Sequence, residues 1–387
     1  MLSRDELDGW LRLSTTVGLG RATARKLLKA FGSPERVLGA SDAALRELAG
    51  GDAIRALRGD AAQQRRQLDA TQHWLDGSSD RARRDIVVLG DPRYPALLLQ
   101  TADPPLLLFT LGRVELLGAT GVAIVGSRSA TPQGMDNARE FARFLSDRRL
   151  TVVSGLAMGI DGAAHDAALG GPGSTVAFVG TGLDRVYPPG HAELMQRIAE
   201  QGLVASEYAL GTAALPDNFP RRNRLIAGVA RGTLVVEAAL ESGSLITARL
   251  ALECGREVFA IPGSIHAPQS RGCHRLIQEG AKLVETGEDV LRELRLDDAA
   301  PRARLAPPQA SLFARSGETD ANAESDTAHR LDAALRAALG HDPVTFDVLS
   351  ARTGLPADQL AARLLDLELA GVVQRLPGGL LQCRGRA

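Results

Sequence analysis

Cysteine is scarce. The chain has three in 387 residues (Cys254, Cys273 and Cys383), with no C-x-x-C spacing, which excludes a disulfide framework and a cysteine-based zinc site. Long apolar stretches are missing as well. No run approaches the 18 or so residues that span a bilayer, and the N-terminus carries charge from Arg4 onward with no apolar leader. The expectation is a cytoplasmic protein that does not cross a membrane. Charge of one sign is also lacking: the formal net charge is −1, so a polyanion can be met only by a local basic patch. Lysine is nearly absent, since 42 of the 45 basic residues are arginine. Much of that reflects GC-rich coding, so clustering carries more information than the count. Several catalytic motifs are missing too. There is no G-x-x-x-x-G-K-[ST] loop, no G-x-S-x-G elbow and no H-E-x-x-H, which removes P-loop ATPases, α/β-hydrolases and zincins.

What is present divides into parts. Residues 1–80 read as short helices. Within them Ser14–Leu28 has the apolar-Gly-apolar-Gly pattern of a helix-hairpin-helix, whose turn N–H groups can hold a phosphate. The plainer reading is a short interhelical turn in a packing domain, with Arg21, Arg25, Lys26 and Lys29 keeping DNA contact open. From 85 to 296 short apolar strands alternate with helix-length segments, the pattern of a doubly wound parallel α/β sheet. Strands are expected at 86–89, 122–126, 151–154, 175–180, 203–206, 233–237, 257–261 and 282–285. Residues 297–326, rich in Ala, Pro, Arg and Ser, read as a disordered linker. In 327–387 a helix, a Thr353–Pro356 turn, a second helix and a Gly378-Gly379 hairpin make a winged-helix pattern. Its second helix carries Asp358, Asp366 and Glu368 against Arg363 alone, so protein contact is favoured over duplex reading.

Ligands of doubly wound sheets sit outside the carboxyl ends of the strands. Gly126-Ser127-Arg128, Ser154-Gly155, Gly180-Thr181-Gly182, Glu237 and Pro262-Gly263 all fall there. A nicotinamide dinucleotide is a poor fit. The first turn is not G-x-G-x-x-G, and Val153-Ser154-Gly155 stands where an acidic residue should end the next strand. Arginine beside a small-residue strand-to-helix turn, as at Arg128, favours an anion. Phe219 beside Arg221, Arg222, Asn223 and Arg224 adds a stacking face suited to an unpaired strand. Gly243-Ser244 opens a further helix nearby. With three arginines in four positions, one is expected to serve structure, paired with Glu237, Glu241 or Asp217. Asp161 and His165, four apart, are either an acid–base pair or, in the favoured reading, a helix-start carboxylate and a packed histidine.

At these residues the chain resembles the DNA processing protein DprA (Smf) family, and the resemblance covers nearly the whole sequence. It runs through Leu89–Pro95, Pro104–Gly112, Gly126-Ser127-Arg128, Ser154–Asp161, Gly180-Thr181-Gly182, Tyr187-Pro188, Phe219–Arg224, Ser242–Ala248 and Ile261-Pro262-Gly263. The resemblance implies an extended Rossmann-like core with a small all-α N-terminal domain and a winged-helix C-terminal domain. It implies a non-enzymatic protein, without metal or cofactor, that binds single-stranded DNA during natural transformation, protects it, loads the RecA recombinase and acts as a homodimer. Carried over, Arg128 and the Arg221–Arg224 cluster with Phe219 form the DNA pocket. Two departures stand out. Gly272-Cys273-His274 replaces the usual Gly-x-Asn, and Pro216-Asp217-Asn218 lacks the basic residue some members carry there. The apolar pair Leu276-Ile277 is a candidate dimer contact.

The rival is an enzyme, a nucleotide phosphoribohydrolase of the cytokinin-releasing type, which shares this Rossmann variant. Its P-G-G-x-G-T-x-x-E motif finds its best match in Gly243-Ser244-Leu245-Ile246-Thr247, with threonine at the glutamate position. Without that carboxylate, hydrolysis lacks its main electrostatic aid.

Overall fold

The computed structural model describes residues 2–59, 61–296, 334–335, 338–340, 343–376 and 378–383. The expected linker 297–326 lies outside the described residues.

Six helices open the chain: α1 (Arg4–Thr15), α2 (Arg21–Phe31), α3 (Pro34–Gly39), α4 (Asp42–Arg46), α5 (Gly51–Arg58) and α6 (Ala61–Asp76). Ser3 starts α1 with a capping box, its hydroxyl taking the Glu6 N–H while Glu6 reaches back. Leucines 7, 11, 13, 27, 45 and 57 fill the space between the helices. The Gly18–Gly20 turn joins α1 to α2, and the two arginines of α2 are committed to the core. Arg21 and Arg25 both bond the Asp103 carboxylate, at 2.8 and 2.7 Å, and Arg25 also donates to the Pro104 carbonyl. Two of the four basic residues that left DNA contact open therefore hold the helical unit to the sheet.

The central sheet has nine strands: β1 (Arg84–Val88), β2 (Leu107–Gly112), β3 (Gly121–Val125), β4 (Thr151–Ser154), β5 (Thr175–Phe178), β6 (Leu203–Ser206), β7 (Gly232–Val235), β8 (Glu257–Ala260) and β9 (Lys282–Leu283). Their order is β1-β2-β6-β5-β4-β3-β7-β8-β9. From β6 to β9 every pairing is parallel, whereas β1–β2 and β2–β6 are antiparallel. The sheet is thus Rossmann-like with an antiparallel extension. The strand β2 is absent from the sequence expectations because its buried run, Leu107 to Phe109, follows Pro104-Pro105 and shows no alternation. All five residues of β3 and all four of β4 and β5 are buried, as befits strands covered on both faces.

Helices α7 (Ala96–Leu99), α8 (Pro132–Asp147), α9 (Ile160–Ala168), α10 (Ala192–Gln201), α11 (Asn218–Val229), α12 (Gly243–Glu253), α13 (Arg271–Gln278) and α14 (Gly287–Glu293) complete this region. The chain leaves β3 for β4, β5 and β6 on one side, then returns to place β7 on the other. That reversal is the topological switch where such sheets bind ligands. Leu276, expected at a dimer contact, is buried in the core of this chain, and Ile277 packs against the same cluster.

Near the C-terminus helices Phe346–Thr353 and Ala357–Leu369 are followed by an antiparallel hairpin of Val373–Leu376 and Leu380–Cys383. This is a winged helix. It meets the core where Arg352 donates to Gln133 and Asp136 of α8, both at 3.1 Å. No helix among the described residues is long and apolar enough to cross a membrane.

Candidate nucleic-acid interface

A pocket of about 420 Å³, counted to its open mouth, lies where β4, β5 and the start of α11 converge. Arg128 and Phe219 stand at its edge, Gly155, Gly180, Thr181 and Arg222 form its floor, and Leu156, Met158, Tyr187 and Pro188 its walls.

Arg128 follows Gly126 and Ser127 on the loop after β3. Gly126 has no room for a side chain, since a Cβ there would overlap Ile160. The Ser127 carbonyl accepts the Ile160 N–H (3.2 Å), and the Ser127 hydroxyl takes the Ser129 N–H (3.2 Å). Tied in this way, the loop projects Arg128 into solvent, with its guanidinium carbon 5.6 Å from the Phe219 ring centroid. No carboxylate among the described residues pairs with it. Glu237, buried at the end of β7, secures the far side of the loop by accepting both the N–H (2.9 Å) and the hydroxyl (2.5 Å) of Thr131. Burial pushes the Glu237 carboxyl above its usual range.

The arginines of α11 separate by environment. Arg221 is exposed and is not among the residues that line the pocket. Arg222 is only 4% exposed. Its Nη1 donates to the carbonyls of Gly155, at the end of β4, and Phe178, at the end of β5, the latter at 2.5 Å, and its Nε donates to Asn223 Oδ1. Burial pulls its basicity down to about 10, against the pull of Asp161. Arg224 points away from the pocket and pairs with Glu207 and Asp103. The carried-over placing of the whole Arg221–Arg224 cluster in the pocket is corrected, since of its arginines only Arg222 lines it. Residues 221, 222 and 224 cannot share one face of a helix turning about 100° per residue. The structural partner is also not Glu237, Glu241 or Asp217, but two carboxylates brought from the β2 and β6 ends of the sheet.

Asp161 and His165 do not act on each other. Asp161 accepts the N–H groups of Gly155 (3.0 Å) and Ala157 (3.4 Å). His165 Nε2 takes the Leu156 N–H (3.2 Å), which leaves Nδ1 to donate to Thr175 Oγ1 (2.6 Å). Burial drives the imidazole down to about 3, so it is neutral. Both residues hold the 155–157 loop and neither lines the pocket.

Ser154 was expected to face the ligand, but its hydroxyl donates to the Ile124 carbonyl of β3 (2.6 Å), inside the sheet. Gly243 and Ser244 also stay outside the pocket. Ser244 is buried under the Ser242 cap of α12 (Oγ to Oγ 2.7 Å), and Gly243 touches the site only through its carbonyl, 3.5 Å from Asn223 Nδ2. Gly155 does belong, since a Cβ there would overlap the Arg222 guanidinium. Tyr187, Met158 and Leu156 were missing from the expected contacts. Tyr187 lies in a long loop outside any regular element, where the one visible signal is an aromatic residue beside a Pro-Pro step.

Fold and appended module define the class: an extended Rossmann-like protein with a helical N-terminal unit and a C-terminal winged helix. The chain belongs to the DNA recombination-mediator protein A family, whose model matches residues 85–295, while the DprA winged helix domain matches residues 318–379. It is similar to Protein Smf of Escherichia coli (strain K12), with 39% identity over 326 residues, 83% of this chain and 82% of that protein. It is also similar to the DNA processing protein DprA of Streptococcus pneumoniae, 51% identical over 203 residues, 52% of this chain and 72% of that one. Among solved structures, the X-ray structure of DNA processing protein A from S. pneumoniae aligns with a TM-score of 0.61 at 38% identity, covering 76% of this chain and 98% of that chain. DNA processing protein A from Helicobacter pylori, whose structure is described as revealing a unique single-stranded DNA binding mode, aligns with a TM-score of 0.51 at 30% identity, covering 55% and 97%.

Proposed function

We propose that this chain binds single-stranded DNA at the strand-end pocket as a non-enzymatic recombination mediator. In this reading it protects DNA entering the cytoplasm during natural transformation, loads RecA on it and works as a homodimer. The observation that carries the reading is the exposed Arg128, its guanidinium carbon 5.6 Å from the Phe219 ring centroid at the switch of the sheet, with a second exposed arginine, Arg221, on the helix that carries that ring. Arginine forks favour phosphate, and the ring favours an unstacked base. The H. pylori relative lends the same ligand.

The hydrolase alternative needs a carboxylate at the sugar. No Asp, Glu, His or Cys lines the pocket, and Asp161, Glu237 and His165 are all committed to backbone or hydroxyl partners. Titration of single- and double-stranded oligonucleotides by filter binding at several salt concentrations tests the proposal. Single strands should bind well ahead of duplex, with affinity falling as salt rises. Base release from a nucleoside monophosphate would favour the hydrolase instead.

A further inference from the structure

Arg21 opens α2 in the N-terminal helical unit and reaches two carboxylates of the core. Its Nε and Nη2 bond Asp103 (2.8 and 2.6 Å), and its Nη1 bonds Glu207 Oε2 (3.2 Å). Glu207 follows β6, and only 5% of its side chain is exposed. The same Oε2 accepts Arg224 of α11, while Oε1 has no partner among the described residues. One carboxylate oxygen thus joins the helical unit to α11. The next residue, Tyr208, donates its hydroxyl to the carbonyl of Asn218 (3.2 Å), the first residue of α11. Asn218 is itself fixed, donating to the Gly180 carbonyl (3.0 Å). Phe219 follows it, the ring beside Arg128. Two hydrogen-bonded links, Arg21–Glu207 and Tyr208–Asn218, therefore separate the helical unit from that ring, with peptide bonds between.

Other contacts also attach the unit. A buried apolar cluster is shared between it and the sheet. Without Arg21 each acid would still keep an arginine, Arg25 on Asp103 (2.7 Å) and Arg224 on Glu207. Arg21 supplies the second cation on Glu207, whose carboxyl burial pushes above its usual range against the pull of Arg224 and Arg21. With one cation fewer, that carboxylate is costlier to keep charged, and the turn it shares with Tyr208 loosens. We infer that Arg21 is a positioning residue for the nucleic-acid site: through Glu207 and Tyr208 it fixes the start of α11, and so the Phe219 ring. A bound strand and the docked helical unit then stabilise each other, because such coupling is reciprocal. This rests on the single-strand reading and adds a control on the site from outside it.

The test uses the full chain and fluorescence anisotropy with an oligothymidylate at one salt concentration. Arg21→Met should bind about threefold or more weakly, the size of effect that residues remote from a ligand exert through such a network. Arg25→Met, which leaves Glu207 both its arginines, should bind as the wild type does. In a Phe219→Ala background Arg21→Met should cost nothing further, since the ring it positions is gone. An arginine that met phosphate directly would cost the same in both backgrounds and flatten the salt slope by about 0.7. That result overturns the positioning role, as does wild-type affinity in Arg21→Met or an equal loss in Arg25→Met. A second measurement needs no variant. Amide hydrogen exchange in α1 and α2 of the wild type should slow when the oligothymidylate is saturating, and unchanged exchange there overturns the coupling. Failure of the wild type to bind the oligothymidylate at all overturns the single-strand reading itself, and the coupling with it.

Discussion

Arg128→Ala should weaken single-stranded DNA binding about tenfold or more, the value of a charge-assisted phosphate contact at roughly 1.5–3 kcal/mol. Its melting temperature should stay put, because the exposed guanidinium holds nothing else in place but an edge of the Phe219 ring. The slope of log affinity against log salt should flatten by about 0.7, one phosphate's worth for a single strand. Arg143→Ala, on the exposed surface of α8, is the control. Arg148 would be a poor one, since it stacks 3.5 Å over Phe144 and pairs with Glu288. Equal losses at 128 and 143 would mean diffuse attraction without a defined site. Arg222→Ala should behave differently. Two carbonyls would lose their donor and Asp161 its neighbouring charge, so a loss of about 3 kcal/mol or more in folding stability is expected. A urea midpoint equal to that of the wild type would contradict the anchoring role.

The decisive elements are short loops, not the helices and strands they join. The segment 155–159 is held by Asp161, His165 and Arg222, and Gly159 adopts φ 77° where a Cβ would overlap the Ser127 carbonyl. The loops after β3 and β4 are thus locked to each other through one glycine. A pH dependence follows from the histidine. His165 is held neutral in the folded chain down to about pH 3, whereas the unfolded chain takes up a proton near 6.5. Below 6.5 the unfolded state binds more protons, so stability falls as pH falls and is regained above that value. By pH 5 the loss should be about 2 kcal/mol. The raised carboxyl of Glu237 acts in the opposite direction, so the test is a difference. Urea midpoints of the wild type and His165→Gln are compared at pH 7 and pH 5. The variant should lose less on acidification, and parallel losses would exclude His165 as the source.

Across the whole molecule, charge reinforces a join that apolar packing also makes, since one buried cluster runs from Leu7, Leu27 and Trp74 of the N-terminal helices to Ile86, Phe109 and Val204 of the sheet. Arg21, Arg25 and Arg224 converge on Asp103 and Glu207, tying the N-terminal helices to the same helix, α11, that carries Phe219 and Arg221. Among the described residues of the winged helix, Arg363 lies 3.9 Å from Asp366, Arg375 is 3.0 Å from Glu368 and Arg352 pairs with Asp136 of the core, so these cations already face acids. Removing residues 327–387 should therefore leave oligonucleotide affinity within a few-fold. If the truncated protein keeps its circular dichroism but no longer binds, the winged helix is itself a DNA module.

Much was legible in the sequence because it is written in local pattern. Apolar runs punctuated by glycine mark strands of a covered parallel sheet, and a small-residue turn with Arg128 marks a candidate anion site, whatever the distant chain does. The same local logic could not sort Arg221, Arg222 and Arg224. They are adjacent in sequence, but successive helical positions face different neighbours, and those neighbours (Gly155, Phe178, Asp103, Glu207) come from strands and loops tens of residues away. For Asp161 and His165 it favoured a helix-start carboxylate and a packed histidine over an acid–base pair without naming their partners, because i, i+4 spacing permits contact without requiring it. Tertiary structure decided both, by supplying backbone N–H groups and carbonyls that outcompeted the expected partners. It also raised Tyr187, set in an irregular loop with no periodicity to read, to a wall of the pocket. Sequence alone determined most of the elements, β2 excepted, and marked the strand-end turns where a ligand is proposed, since both depend on neighbours along the chain. Which side chains remain free to meet that ligand depends on neighbours across it, and only the folded chain brings those together.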